Sequence, residues 1–212
     1  ASLKASLDAL EKEGINKIIV LSHCGYAEDQ EMALKHPRID VIVGGHSHSY
    51  LGDPGPEGFP NPIGAYPTVV GTTQIVQAWE WGKIVGRLKV TFDRKGKVTK
   101  TEGKTIVVNQ NIPEDPKIAS AILAFQKPIE ALKTTVIAQA PGLIARNGAQ
   151  GNPESPMGSL IADAQVAATK GQNTLFALMN PGGVRASIEP GPITYDEVVA
   201  VQPFGNTLVV MD

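Results

Sequence analysis

Asp40-Val41-Ile42-Val43-Gly44-Gly45-His46-Ser47-His48 is the stretch that decides the fold. A short apolar run that opens directly into Gly-Gly and two histidines reads as a buried strand carrying polar side chains at its carboxyl end. Upstream, Ile18-Ile19-Val20-Leu21 is a second such run and opens into Ser22-His23. Leu3, Leu7 and Leu10 recur at helical spacing before Gly14, and Asp29 to Lys35 reads as a helix closed by Pro37. The first 45 residues therefore predict helix–strand–helix–strand, an α/β unit with a mostly parallel, buried sheet. In open α/β sheets ligands collect at the carboxyl ends of the strands. His23, His46 and His48 all fall there.

Further along, residues 51–67 are a loop dense in Gly and Pro. Alternating apolar residues predict strands at Thr68 to Val70, Lys83 to Phe92 and Val98 to Val108, the last two joined by a turn at Asp93-Arg94-Lys95-Gly96. Ile118, Ile122, Phe125 and Ile129 line one face of a helix predicted over 115–132, which links two domains. Beyond it the pattern predicts a strand (135–138), a polar loop (146–156), a helix (157–170) and a strand (174–179). The Gly-rich loop Asn180-Pro181-Gly182-Gly183-Val184-Arg185 follows. The expected boundaries are 1–110, a linker at 111–133, and 134–212.

The composition excludes several classes. Of 212 residues, 42% are hydrophobic and 19% charged, which rules out disorder as the main state. A net charge of -2 leaves no basic footprint for a nucleic acid polymer. No apolar run is long enough to span a membrane, and the single Cys24 excludes an intrachain disulfide. The chain opens at Ala1 without a leader and stops in the strand-like run Leu208-Val209-Val210-Met211. It is therefore expected to be a piece of a longer protein, cut at both ends.

Neutral imidazole is the commonest protein ligand for zinc and also suits Mn and Fe. His46 and His48 are two apart, so in an extended segment both side chains leave the same face. Gly44 and Gly45 permit a turn and close approach of other groups. His23, His46 and His48 are accordingly expected to converge on metal. His36 reads as a solvated helix end, Cys24 as a small buried hydrophobe, and Asp29 as an anchor for the loop carrying His23. Trp79 and Trp81 read as packing residues on a strand.

These segments resemble a known family. Ser22-His23-Cys24-Gly25-Tyr26-Ala27-Glu28-Asp29 is similar to the T/S-H-x-G-x-x-x-D segment of the calcineurin-like metallophosphatases, and Gly44-Gly45-His46-Ser47-His48 to their G-G-H-S/T-H/Q/N segment. The wider context resembles the exported bacterial 5'-nucleotidase and UDP-sugar hydrolase group. The resemblance implies two divalent ions (Zn, Mn, Co or Fe), His23 and His46 holding one and His48 the other. The family's Asp-x-His, bridging Asp and Asn-His-Asp/Glu segments precede the equivalent of His23, and its catalytic His-Asp pair lies outside this chain. Residues 1–22 contain one Asp, Asp8, on a predicted helix. The implied fold is α/β, α+β overall. It comprises the second half of a metallophosphatase β-sandwich with flanking helices, then a linker helix and the first part of an α/β C-terminal domain.

The second half carries its own resemblance. Glu154-Ser155-Pro156-Met157-Gly158-Ser159-Leu160-Ile161-Ala162-Asp163-Ala164 is similar to the family's E-S/T-x-x-G-N/D-L-I-A-D-A helix opening, and residues 180–185 to its N/S-x-G-G-I/V-R loop. Ile193-Thr194-Tyr195-Asp196-Glu197-Val198 and Gln202-Pro203-Phe204-Gly205-Asn206 match two further family segments. On the residues themselves, a Gly-Gly turn ending in Arg suits phosphate or carboxylate, and a Phe on a Pro-Phe-Gly turn offers a face for a base. A core Phe204, an Arg185 paired with a carboxylate and an Asn180 that only shapes the turn remain open readings. The resemblance implies nucleotide binding by Asn180, Gly182, Gly183, Arg185 and Phe204, with Arg146 as the nearest match to a further family arginine.

The function expected of the parent protein is hydrolysis of nucleotides through two-metal activation of water, with UDP-sugars, 2',3'-cyclic nucleotides and NAD as further candidate substrates. The alternative is a non-catalytic nucleotide- or metal-binding fragment or decayed homologue. The resemblance implies a periplasmic or secreted location.

Overall fold

The computed structural model describes residues 2–148 and 154–211 and divides into two compact units, Ala1–Pro113 and Glu114–Asp212. Residues 149–153 of the loop expected at 146–156 lie outside the described residues.

The first unit opens with α1 (Leu3–Lys12), whose N-cap Ser2 accepts from the Ala5 amide, and Gly14 follows at φ +76° as its stop. Then come β1 (Ile19–Leu21), α2 (Tyr26–Lys35), β2 (Val41–Val43), β3 (Thr68–Val70) and β4 (Thr73–Val76). They form a four-stranded sheet ordered β1-β2-β4-β3, in which β1, β2 and β4 are parallel and β3 is antiparallel to β4. Its core is Leu7, Ile18, Ala33, Ile39, Ile42 and Ile75, so α1 and α2 share one apolar seam with the sheet. Buried polar groups are paired here: the Asp40 carboxylate accepts from the Ile18 amide at 2.8 Å, and Thr73 Oγ1 donates to the Ile39 carbonyl at 2.6 Å. Burial raises the Asp40 carboxyl above its ordinary range, against the lowering effect of that amide. A hairpin of β5 (Ile84–Phe92) and β6 (Val98–Val107) forms its own antiparallel sheet.

In the second unit, α3 (Pro116–Gln126) is capped by Asp115, whose carboxylate accepts from the Lys117 and Ile118 amides. A 3₁₀ turn (Lys127–Ile129), α4 (Glu130–Lys133), β7 (Val136–Ala140), α5 (Pro156–Ala168), β8 (Gly191–Thr194) and α6 (Tyr195–Val201) follow. β7 and β8 pair antiparallel. Ala140, Met157, Ile161, Val184, Ile188, Ile193 and Val201 make a separate core. The whole is a mixed α/β architecture with three sheets among the described residues.

Several expectations need correction. β1 is parallel as expected but not buried: it is the sheet's edge strand, and only Val20 turns inward while Ile19 and Leu21 are exposed. The helix expected over 115–132 breaks at Lys127–Ile129, because Pro128 lacks the amide proton and crowds the preceding turn. Its apolar face, Ile118, Ile122, Phe125 and Ile129, is exposed. Residues 174–179 do not enter a sheet, and Leu175, Phe176 and Leu178 are exposed. β4 was hidden in the sequence by its polar Thr73 and Gln74, both buried.

Ile42 is fully buried between β1 and β4. Ile42→Ala is expected to lower the stability of the first unit by about 2–5 kcal/mol. Urea unfolding followed by tryptophan fluorescence reads this unit, because Trp79 and Trp81 are the two tryptophans of the chain and both lie in it. A loss below about 1 kcal/mol would mean that the seam is not close-packed.

Candidate functional site

The parallel ladder runs past the strand ends into the loops. The Ser22 amide donates to the Val43 carbonyl at 2.9 Å, and the Gly44 amide donates to the Val76 carbonyl at 2.8 Å. The three segments that follow β1, β2 and β4 are thereby held side by side. His23 and His46 meet there: their ring centroids are 5.3 Å apart, edge to face. Both are exposed.

The loops are tied by buried polar groups. Gln77, at the end of β4, is 4% exposed; its Oε1 accepts from the Ser49 amide and from Ser47 Oγ, and its Nε2 donates to the Gly45 carbonyl at 3.0 Å. One amide side chain therefore spans the whole 45–49 loop. Ser47 Oγ in turn accepts from the Tyr26 amide at 3.0 Å, joining that loop to the start of α2. Asp29 is fully buried, and its Oδ1 accepts from Ser22 Oγ at 2.5 Å, while Ser22 Oγ accepts from the Cys24 amide. This is the anchoring role expected of Asp29. A Cβ at Gly44 would strike Asp29 Oδ2, and one at Gly45 would come within 2.9 Å of His23 Nδ1. The Gly-Gly pair is needed because a carboxylate and an imidazole occupy the space a side chain would fill.

His48 faces elsewhere. Its Nδ1 lies 3.0 Å from Glu80 Oε2, and its ring is 5.9 Å from Trp81. The expectation of an extended segment fails, since His46 (φ +71°) and His48 (φ +49°) are both left-handed. In that conformation, rarely adopted by residues with a Cβ, alternation of faces does not apply. Trp79 and Trp81 are likewise left-handed, in a turn after β4 rather than on a strand. Trp79 stacks on Tyr50, but Trp81 is exposed. Cys24 is exposed too, because it follows the edge strand on the loop rather than entering the core.

Two imidazoles are suitable donors for a first-row divalent ion. A ring centroid lies roughly 3.2 Å from an ion bound through nitrogen, so two rings on one tetrahedral ion sit roughly 5.2 Å apart. The His23–His46 spacing fits that geometry. The pair fits as part of a centre only: among the described residues no three His, Cys, Asp or Glu side chains are grouped to hold an ion.

In the second unit, Pro181–Gly183 forms a 3₁₀ turn in which the Gly183 amide donates to the Asn180 carbonyl. A Cβ at Gly182 would approach the Asn180 amide to 3.2 Å. The Arg185 amide donates to the Val201 carbonyl at 2.9 Å, which pins the loop to the end of α6. This brings the Arg185 guanidinium to 5.2 Å from the centre of the Phe204 ring, an attractive cation–π geometry. Phe204 is about half exposed, so it is not a core residue. The Arg146 amide donates to Ser187 Oγ, two residues beyond Arg185, and the Arg146 carbonyl accepts from Ser155 Oγ at the start of α5. Arg146 is thus set beside the Arg185 segment by its backbone, with an exposed side chain.

Gln77 and Glu80 escaped the sequence reading. The available signal was β4 itself: a third parallel strand must end at the same sheet edge as the first two.

Burial raises the Asp29 carboxyl above its ordinary value of 3.8; Ser22 opposes this and nearby Glu28 adds to it. A carboxyl raised on folding keeps its proton in the native state at pH values where the unfolded chain has lost it. Its stabilising contribution is therefore complete below about 3.8 and is lost as pH rises through the folded value. Asp29→Asn removes that term. The difference in urea midpoint, variant minus wild type, should grow in the variant's favour as pH rises above about 4 and level off once the folded group has lost its proton. A pH-independent difference would contradict the account.

Comparison with known proteins agrees with this architecture. Residues 136–212 match the family model described as 5'-nucleotidase, C-terminal domain. The chain is 33% identical to a 5'-nucleotidase of Bos taurus over 97% of its length and 39% of the relative's. It is 35% identical to an apyrase of Aedes aegypti over 94% of its length and 37% of the relative's. The crystal structure of a 5'-nucleotidase precursor from Thermus thermophilus superposes with a TM-score of 0.73 at 43% identity, covering 96% of this chain and 41% of that one. The chain thus spans about two fifths of the length of the relatives it matches. By sequence along nearly all its residues, and by fold, it is similar to the 5'-nucleotidases, and residues 136–212 carry the match to their C-terminal domain.

Proposed function

We propose that this chain is the metal-ligating and nucleotide-binding portion of a metal-dependent phosphohydrolase that acts on nucleotides. The observation that carries the proposal is the His23–His46 pair, 5.3 Å between ring centroids at the carboxyl ends of adjacent parallel strands. Residues 1–110 are assigned to the second half of a calcineurin-like metallophosphatase domain, 111–133 to a linker and 134–212 to a C-terminal nucleotide-binding domain. His23 and His46 would hold one divalent ion and His48 a second. Bound ions of that kind acidify water and neutralise phosphoryl oxygens during in-line displacement.

The remaining work falls to the chain's own side chains. Gln77 and Asp29 keep the histidine loops in place, so the ligand nitrogens need little reorganisation on binding. Arg185 carries a fixed positive charge and a donor fork suited to phosphate. Phe204, half exposed beside it, offers a face on which a nucleobase can stack. Asn180, Gly182 and Gly183 shape the loop that presents Arg185, and Arg146 lies beside it. Substrates from 5'-nucleotides to UDP-sugars, cyclic nucleotides and NAD share this base-plus-phosphate chemistry. A periplasmic or secreted location belongs to the same proposal and rests on the family resemblance alone.

The test is phosphate release from AMP by the full-length protein. His46→Ala should lower turnover by orders of magnitude and reduce bound metal. Phe204→Ala should act on KM, raising it about 5- to 150-fold, the equivalent of roughly 1–3 kcal/mol of lost stacking. His46→Ala activity within about tenfold of wild type, with metal content unchanged, would overturn the assignment.

A further inference from the structure

Glu80 is held more tightly than a partly exposed carboxylate needs to be. Its Oε1 accepts from Lys83 Nζ at 2.8 Å, and its Oε2 lies 3.0 Å from His48 Nδ1. Lys83 is itself fixed, with Nζ 4.2 Å from the centre of the Trp79 ring and its backbone amide donating to the Glu80 carbonyl. Trp79 is anchored in turn: it stacks on buried Tyr50, packs on Phe59, and its amide donates to the Ser49 carbonyl. The turn carrying Glu80 is unusual. Trp79 and Trp81, on either side, have φ of +57° and +56°, and Gly82 has +69°. A left-handed backbone at two bulky residues costs free energy and persists only where the surroundings enforce it. Its consequence here is that one carboxylate oxygen meets one ring nitrogen of His48, while Trp81 packs edge-on to the same ring.

An imidazole whose Nδ1 proton is held by a carboxylate has its lone pair on Nε2. That partner fixes tautomer and ring orientation together and raises the basicity of the free nitrogen. We propose that Glu80 is a positioning residue for His48, holding it as the Nδ1–H tautomer with Nε2 free to bind a divalent cation. The inference rests on the reading of His48 as a metal ligand. Glu80 touches neither ion nor substrate and acts through the histidine alone. Lys83 and the Trp79–Tyr50 stack hold the carboxylate at its post.

The experiment uses the full-length protein, freed of metal, as wild type, Glu80→Ala, Glu80→Gln and His48→Ala. Nitrogen-15 spectra read the tautomer, the His48 signals being those that vanish in His48→Ala. Calorimetric titration with Mn²⁺ reads affinity. Wild type should show the Nδ1–H form. Glu80→Ala should shift the population toward Nε2–H and weaken binding of one Mn²⁺ about 10- to 100-fold. Glu80→Gln keeps an acceptor oxygen and should restore both the tautomer and most of the affinity, which a merely structural role for the carboxylate would not predict. If His48→Ala weakens Mn²⁺ binding while Glu80→Ala leaves tautomer and affinity as in wild type, the positioning role is overturned and the ligand assignment stands. If His48→Ala itself leaves Mn²⁺ binding unchanged, the ligand assignment fails and the positioning role falls with it.

Discussion

The parallel pairing of β1 with β2 and of β2 with β4 is the constraint on which the site depends. Parallel strands point their carboxyl ends the same way, so whatever follows each strand arrives at one edge of the sheet. The pairing does not stop with the strands, because the ladder bonds from Ser22 to Val43 and from Gly44 to Val76 carry it into the loops. From there, side chains take over. The Gln77 amide closes the 45–49 loop, and Asp29 holds Ser22 beside Gly44. Two imidazoles come to rest edge to face at that sheet edge. Buried hydrogen bonds of this kind, Gln77 to the 45–49 loop and Asp29 Oδ1 to Ser22, favour a single arrangement of the loops, and each is costly to break.

The fold was legible where periodicity and punctuation agreed. Leu3, Leu7 and Leu10 before Gly14 located α1, and the apolar run of 41–43 with its Gly-Gly exit located β2. Asp93 to Gly96 marked the turn between β5 and β6. The misreadings have a common cause: an apolar run states that a segment can be buried, not what buries it. Ile18 to Leu21 became an edge strand, and the run at 174–179 and the apolar face of α3 are exposed.

At the site, residue types were legible and directions were not. Three histidines follow predicted strand ends, and of these His23 and His46 do lie together. The backbone conformation of His46 and His48 was not readable, because left-handed residues with side chains are set by tertiary contacts rather than by local preference. That conformation turns His48 toward Glu80 and Trp81. In the second unit the Arg185–Phe204 juxtaposition follows from one long-range bond, Arg185 to Val201, which no local pattern encodes.

The central claim is that His23 and His46 share one divalent ion. Crystals of the full-length protein soaked in Mn²⁺, with diffraction collected at a wavelength where manganese scatters anomalously, test it directly. The account predicts an anomalous peak between the two rings, roughly 2.0–2.3 Å from a nitrogen of each. A fully occupied manganese peak elsewhere in the protein, with the two imidazoles touching only water, would contradict it.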